Sequence, residues 1–177
     1  MPRNKILIPL DGSAYSETIL PVVSRYLKPE ENELILFRVA EASAAGTGGI
    51  ADLVADRGLH NETLFRLSSV EVEQAMHPTY TSQIEATMAV DLESKLLPIA
   101  NELRDAGYTV STEVGFGDPA RAIEQYIRYH DIDLMAMTTH GRTGLQRALL
   151  GSVAGYVLRH VAVPILLLHP FERGSSG

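Results

Sequence analysis

Along this chain, short aliphatic and β-branched runs, each the length of one strand, alternate with apolar stripes at helical spacing. Strand-like runs fall at residues 5–10, 33–40, 134–138 and 163–169, with a weaker one at 110–114. The first and last are almost continuously apolar, as strands covered on both faces are. Between them come the stripes Ile19, Val22, Val23, Tyr26, Leu27, then Ile84, Met88, Leu92, Leu96, Ile99, Leu103. Ala122, Ile123, Tyr126, Ile127 form the next, and Leu150, Val153, Val157, Val161 the last. Strands alternating with helices predict right-handed crossovers and an α/β fold. The expected form is a Rossmann-like open five-stranded parallel sheet, order 3-2-1-4-5, with helices on both faces.

Local signals agree with these boundaries. Asp118-Pro119 offers an N-cap carboxylate ahead of a proline at the first helical position. Gly107 stands where a helix ends on a left-handed glycine. Pro21 and Pro98 fall inside helical stripes and predict a kink or a late start at each. With 177 residues, one domain is expected over residues 1–170, followed by a disordered tail at 171–177. Residues 41–82 break the alternation and read as an insertion, either a surface loop or a lid or partner-binding segment.

Composition narrows the function. No apolar run approaches the roughly 18–20 residues needed to span a bilayer, and the N-terminus leads into a strand-like run rather than a signal peptide. A net charge of −7 argues against a nucleic-acid binder, which needs a basic face. The chain has no cysteine, so disulfides, thiolate catalysis and cysteine zinc sites are excluded. A cytoplasmic location is the default expectation. The six histidines show no three- or four-residue pairing on a helix face, and no metal site is expected.

In an open α/β sheet, ligands bind outside the carboxyl ends of the strands, where neighbouring connections diverge. After the first strand comes Pro9-Leu10-Asp11-Gly12-Ser13, where the carboxylate either meets a sugar or forms an Asx turn. After the fourth comes Met137-Thr138-Thr139-His140-Gly141-Arg142-Thr143-Gly144, and Gly151-Ser152-Val153 opens the last helix. Glycines allow close backbone approach, a helix N-terminus offers amides and a favourable dipole, and Arg142 adds charge. This suits a phosphate cradle or an ordinary strand-to-helix turn. His140 beside it reads best as a turn residue. Two common nucleotide patterns are missing, since no glycine precedes Lys-Ser or Lys-Thr and Gly115-Phe116-Gly117 lacks a third glycine. Ser152 adjoins Gly151 directly and so is no hydrolase elbow. Glu30, Glu31 and Glu33 read as a solvated loop.

These pieces resemble the universal stress protein family, in particular its ATP-binding branch. The resemblance rests on Ile6-Leu7-Ile8-Pro9-Leu10-Asp11-Gly12-Ser13, on Gly117-Asp118-Pro119-Ala120, on the stretch from Thr139 through Gly151-Ser152-Val153, and on Val163-Pro164-Ile165-Leu166-Leu167. The family's nucleotide motif is a glycine, two residues, a second glycine, nine residues, then Gly-Ser or Gly-Thr. Gly141, nine following residues and Gly151-Ser152 match it, while Thr138 replaces the first glycine and would crowd the sugar or α-phosphate.

By position, the resemblance implies that the backbone of Val39 meets adenine and Asp11 meets the ribose. It places Gly141, Arg142, Gly151, Ser152 and Val153 at the phosphates, with Pro9 and Met137 shaping the walls. It also implies ATP, with Mg2+, as cofactor and a homodimer joined through the last strand, whose apolar edge would otherwise stay open. The function expected is that of a nucleotide-charged stress-response regulator acting through its conformation and a protein partner. Two other readings stand beside it. One is a slow ATP hydrolase or nucleotidyl-transfer enzyme, against which no general base is evident. The other is a nucleotide-free interaction module in which Thr138 closes the site.

Overall fold

A computed structural model of the chain describes residues 3–40, 78–139 and 150–169. In order these form β1 (Asn4–Pro9), α1 (Ala14–Glu17), α2 (Ile19–Tyr26), β2 (Asn32–Ala40), α3 (Pro78–Asp105), β3 (Thr109–Phe116), α4 (Pro119–Tyr129), β4 (Leu134–Thr138), α5 (Ser152–His160) and β5 (Ile165–Leu168). The five strands make one sheet in the order β3-β2-β1-β4-β5, and every pair is parallel.

Period-two alternation sorts each strand between two cores. On one face Ile6, Ile8, Leu34, Leu36 and Ala136 pack with Ile19 and Val23 of α2 and Leu96, Ala100 and Leu103 of α3. On the other, Leu7, Ile35, Phe37, Met135 and Met137 pack with Ile123 of α4 and Ala154 and Val157 of α5. Both faces of β1 are therefore covered, and Ile6, Leu7 and Ile8 are almost wholly buried. Each such side chain contributes about 1.5–3 kcal/mol through burial, so β1 anchors both layers.

The prolines behave differently from each other. Helix α1 ends at Thr18, whose N–H bonds the Tyr15 carbonyl, and α2 restarts at Ile19. Pro21 thus stands in the first turn, where amides lack helical partners in any case. At Pro98 no late start occurs, because α3 begins at Pro78 and continues through it to Asp105. Leu96, Ala100 and Leu103 lie buried on either side, and their packing offsets the roughly 3 kcal/mol penalty of an internal proline.

Helix ends follow the local chemistry. Asp118 accepts a hydrogen bond from the Arg121 amide at 2.9 Å, and Gly107 has φ +96° with its N–H on the Arg104 carbonyl. β3 outruns its apolar signal as far as Phe116. Gly115 inside it makes room for the Phe37 ring, whose Cζ would lie 2.7 Å from a side chain built there. β5 is shorter than its apolar run and begins after Pro164, which donates no hydrogen bond. Of the expected insertion, residues 78–82 belong to α3, while 41–77 and the 171–177 tail lie outside the described residues.

Candidate functional site

The chain reverses its direction of travel across the sheet between β1 and β4. A gap opens there, and Pro9 helps to open it. Amides of Asn4 and Leu10 bond towards β2, at Glu31 and Phe37. Lys5 faces the other way, its amide meeting the Asp133 carboxylate at 2.8 Å and its carbonyl the Asp133 amide. Position 9 follows the same alternation as position 5 and faces β4, yet proline has no N–H to give. β1 and β4 pair at Ile6↔Leu134 and Leu7↔Met135, and beyond that they flank a crevice.

The crevice is a cavity of about 620 Å³, within the usual size of a small-molecule site. Its floor comes from strand ends: Pro9 and Leu10, then Phe37, Arg38, Val39 and Ala40, then Met137 and Thr138. Asp11 and Thr139 follow the two central strands. The walls are Gly151, Ser152, Val153 and Ala154 opening α5, Pro119 and Ile123 from α4, and Met88, Asp91 and Leu92 from α3. Pro9, Asp11, Val39, Met137, Thr138, Gly151, Ser152 and Val153, all singled out from sequence, are thereby brought to one cavity. Gly141 and Arg142, with His140 and Gly144, lie outside the described residues.

The turn after β1 supplies its own partners. Asp11 Oδ1 accepts from the Ser13 amide at 2.9 Å and from its hydroxyl at 2.6 Å. Ser13 in turn caps α1, its Oγ accepting from the Ser16 amide at 3.2 Å. Gly12 has φ +80°, a backbone state that a Cβ disfavours.

The junction after β4 is built otherwise. The Gly151 amide donates to the Thr139 carbonyl at 2.7 Å, joining the two ends of the connection. That amide is therefore committed, contrary to the expectation that Gly151 presents a free donor. Thr139 is further held by the Leu168 carbonyl, through its amide at 2.9 Å, and by His169 Nδ1, which shares a 2.7 Å hydrogen bond with its Oγ1. Gly151 is the N-cap of α5 and brings no side-chain cap. The amides of Ser152, Val153 and Ala154 belong to the first turn of the helix and have no acceptor within it. Thr138 is 6% exposed and stands in the floor without filling the cavity.

Sequence reasoning missed Arg38. Its guanidinium lies against Gly12, where a Cβ would fall 2.6 Å from the guanidinium carbon, and its Nη2 reaches the Asp11 carbonyl at 3.4 Å. The signal was present: Arg38 is a lone cation within Leu34-Ile35-Leu36-Phe37-Arg38-Val39-Ala40. Behind the floor, the Phe37 ring meets Tyr126 at 4.8 Å between centroids. Burial, and then the carboxylates of Glu113 and Glu33, push the Tyr126 hydroxyl above its ordinary range, which keeps this support uncharged. Among the described residues no cluster of three or more His, Cys, Asp or Glu side chains could hold a metal, and no helix is long and apolar enough to cross a membrane.

Comparisons with known proteins agree with this architecture. Universal stress protein MJ0577 of Methanocaldococcus jannaschii is 26% identical over 164 residues, covering 93% of each chain. Its solved structure matches with a TM-score of 0.71 at 23% identity, over 97% of this chain and 99% of that one. An Arabidopsis thaliana universal stress protein family member with AMP bound gives a TM-score of 0.56 at 12% identity, over 97% of this chain and 95% of its own. A universal stress protein in complex with cAMP gives 0.51 at 16% identity, covering 96% and 98%. These structural likenesses establish the fold, and the family model described as "Universal stress protein family" matches residues 2–169. This chain belongs to the universal stress protein family.

Proposed function

We propose that the chain binds an adenine nucleotide, ATP by preference, in the crevice between β1 and β4. The observation that carries this reading is the uncapped start of α5 opening on a cavity of about 620 Å³ at the reversal point of the sheet. The donor set suits such a ligand: helix-end amides and the Ser152 hydroxyl for phosphate, and backbone groups at Val39 for a base. Solved relatives holding AMP and cAMP support the adenine part of the reading. Mg2+ would enter on the phosphates, since it is commonly held by them with few protein ligands.

In this reading Gly141 and Arg142 complete the phosphate site. Nucleotide occupancy sets the protein's conformation, and the protein acts as a stress-response regulator in the cytoplasm through a protein partner. Homodimers form through β5, an edge strand of four half-buried apolar residues, Ile165 to Leu168. Light scattering on Leu167→Lys tests the interface, and an unchanged dimer would place it elsewhere. For the nucleotide, titration calorimetry with ATP, ADP and AMP should show micromolar binding with ATP tightest. No heat at millimolar ligand would refute the reading and leave the nucleotide-free module in its place.

A further inference from the structure

Among the described residues, Arg38 is a cation without a carboxylate partner. The ion pairs among the described residues join Lys28 to Glu31, Lys95 to Asp91 and Arg128 to Glu124, and none includes it. Its hydrogen bond to the Asp11 carbonyl, at 3.4 Å, is long, and a guanidinium carries five donors. The side chain is half-buried and lines the cavity. Asp91, the carboxylate on the neighbouring wall, is itself bonded to Lys95.

A half-buried charge in a strand flanked by core residues is unfavourable unless it is paired or used. Packing over the Gly12 turn occupies one face of the guanidinium, and its one long hydrogen bond there uses few of the head's donors. The place of Arg38 is informative. It lies near the carboxyl end of β2, two strands from β4, and so on the order of 10 Å across the sheet from the α5 junction. In dinucleotide-binding α/β sheets, a carboxylate near this point of the chain accepts hydrogen bonds from the ribose hydroxyls, and an arginine there accommodates a ribose phosphate instead.

We infer that Arg38 recognises a second anionic group on the nucleotide, a phosphate on the ribose 2′ or 3′ hydroxyl, while the start of α5 takes the 5′-phosphate. This rests on the nucleotide reading of the same cavity and adds a preference to it. Between nucleotides with the same 5′-phosphates, the site prefers the one that also carries a phosphate on its ribose, as an adenosine bisphosphate does beside the monophosphate.

Calorimetry on the unmodified protein with adenosine 5′-monophosphate, adenosine 2′,5′-bisphosphate and adenosine 3′,5′-bisphosphate tests it. At least one bisphosphate should bind about tenfold or more tightly than the monophosphate, the effect of charge-assisted hydrogen bonds to one added group, and the tighter of the two identifies the position read. In Arg38→Gln that ratio should fall to about one with the monophosphate affinity retained, and Arg38→Lys should restore part of it. Equal affinities in the unmodified protein would overturn this inference and leave the nucleotide reading intact. Binding of none of the three would overturn both. A preference that survives in a folded Arg38→Gln protein would remove the role assigned to Arg38.

Discussion

Two connections leave the middle of the sheet, one after β1 and one after β4, and they spend their polar groups in opposite ways. The first closes on itself: Asp11 holds Ser13, Ser13 caps α1, and Gly12 bends under the Arg38 side chain. The second ties its ends through Gly151 and Thr139 but starts α5 with no side-chain cap. Both follow the same kind of strand and open on the same cavity. A junction whose donors and acceptors satisfy one another sets geometry. One that leaves helix-end amides facing a cavity is suited to receive an anion.

Breaking the second junction should have the largest effect. Gly151 has φ −63° and ψ 162°, a conformation open to any residue, and a substitution there keeps the amide bonded to Thr139. In the nucleotide reading the glycine provides space rather than backbone freedom. Gly151→Val should lower nucleotide affinity by about 100-fold or more, through the loss of two charge-assisted bonds. Stability should fall by only about 1 kcal/mol, the difference between cap residues. Calorimetry and urea unfolding read the two quantities separately, and unchanged affinity would show that phosphate does not sit at this end.

The first junction should break the other way. Gly12→Ala puts a side chain at φ +80° and against the Arg38 guanidinium. The strain of a left-handed alanine, with the displaced arginine, should cost about 2 kcal/mol, seen as a lower urea midpoint at constant slope. A loss below about 0.5 kcal/mol would mean that the turn is not the rigid element described.

How far the sequence revealed these junctions differs in the same way. The sheet, its order and its two cores were legible because they rest on period-two and helical patterns that local sequence carries, as in Ile6, Leu7 and Ile8 facing alternate sides. The cavity residues on β1, β2 and β4 were legible because a sheet of this order places its crevice at the strand ends. Arg38 was not, since its importance depends on Gly12 passing beneath it from a different connection. The walls from α3 and α4, such as Asp91 and Pro119, were equally hidden, because only tertiary packing swings helix faces towards strand ends. The commitment of the Gly151 amide was invisible for the same reason. The start of α3 at Pro78 escaped because the stripe begins only at Ile84, after polar residues without helical period.

The smallest effects come from paired serines, and they separate the two junctions most cleanly. Ser13 and Ser152 both stand at the start of a helix, and of the two Ser152 lines the cavity. Ser13 is the N-cap of α1, its hydroxyl accepting from the Ser16 amide. Ser152 is the first residue within α5, after Gly151, and its hydroxyl caps nothing. Ser13→Ala should therefore destabilise the protein by about 1 kcal/mol, the usual value of a side-chain cap, and should leave the α5 amides unaltered. Ser152→Ala removes no cap and should change stability by less than about 0.5 kcal/mol. If its hydroxyl meets phosphate, nucleotide affinity should still drop by about tenfold. A loss of stability in Ser152→Ala matching that of Ser13→Ala, with no change in affinity, would make both junctions structural and remove the contrast between them.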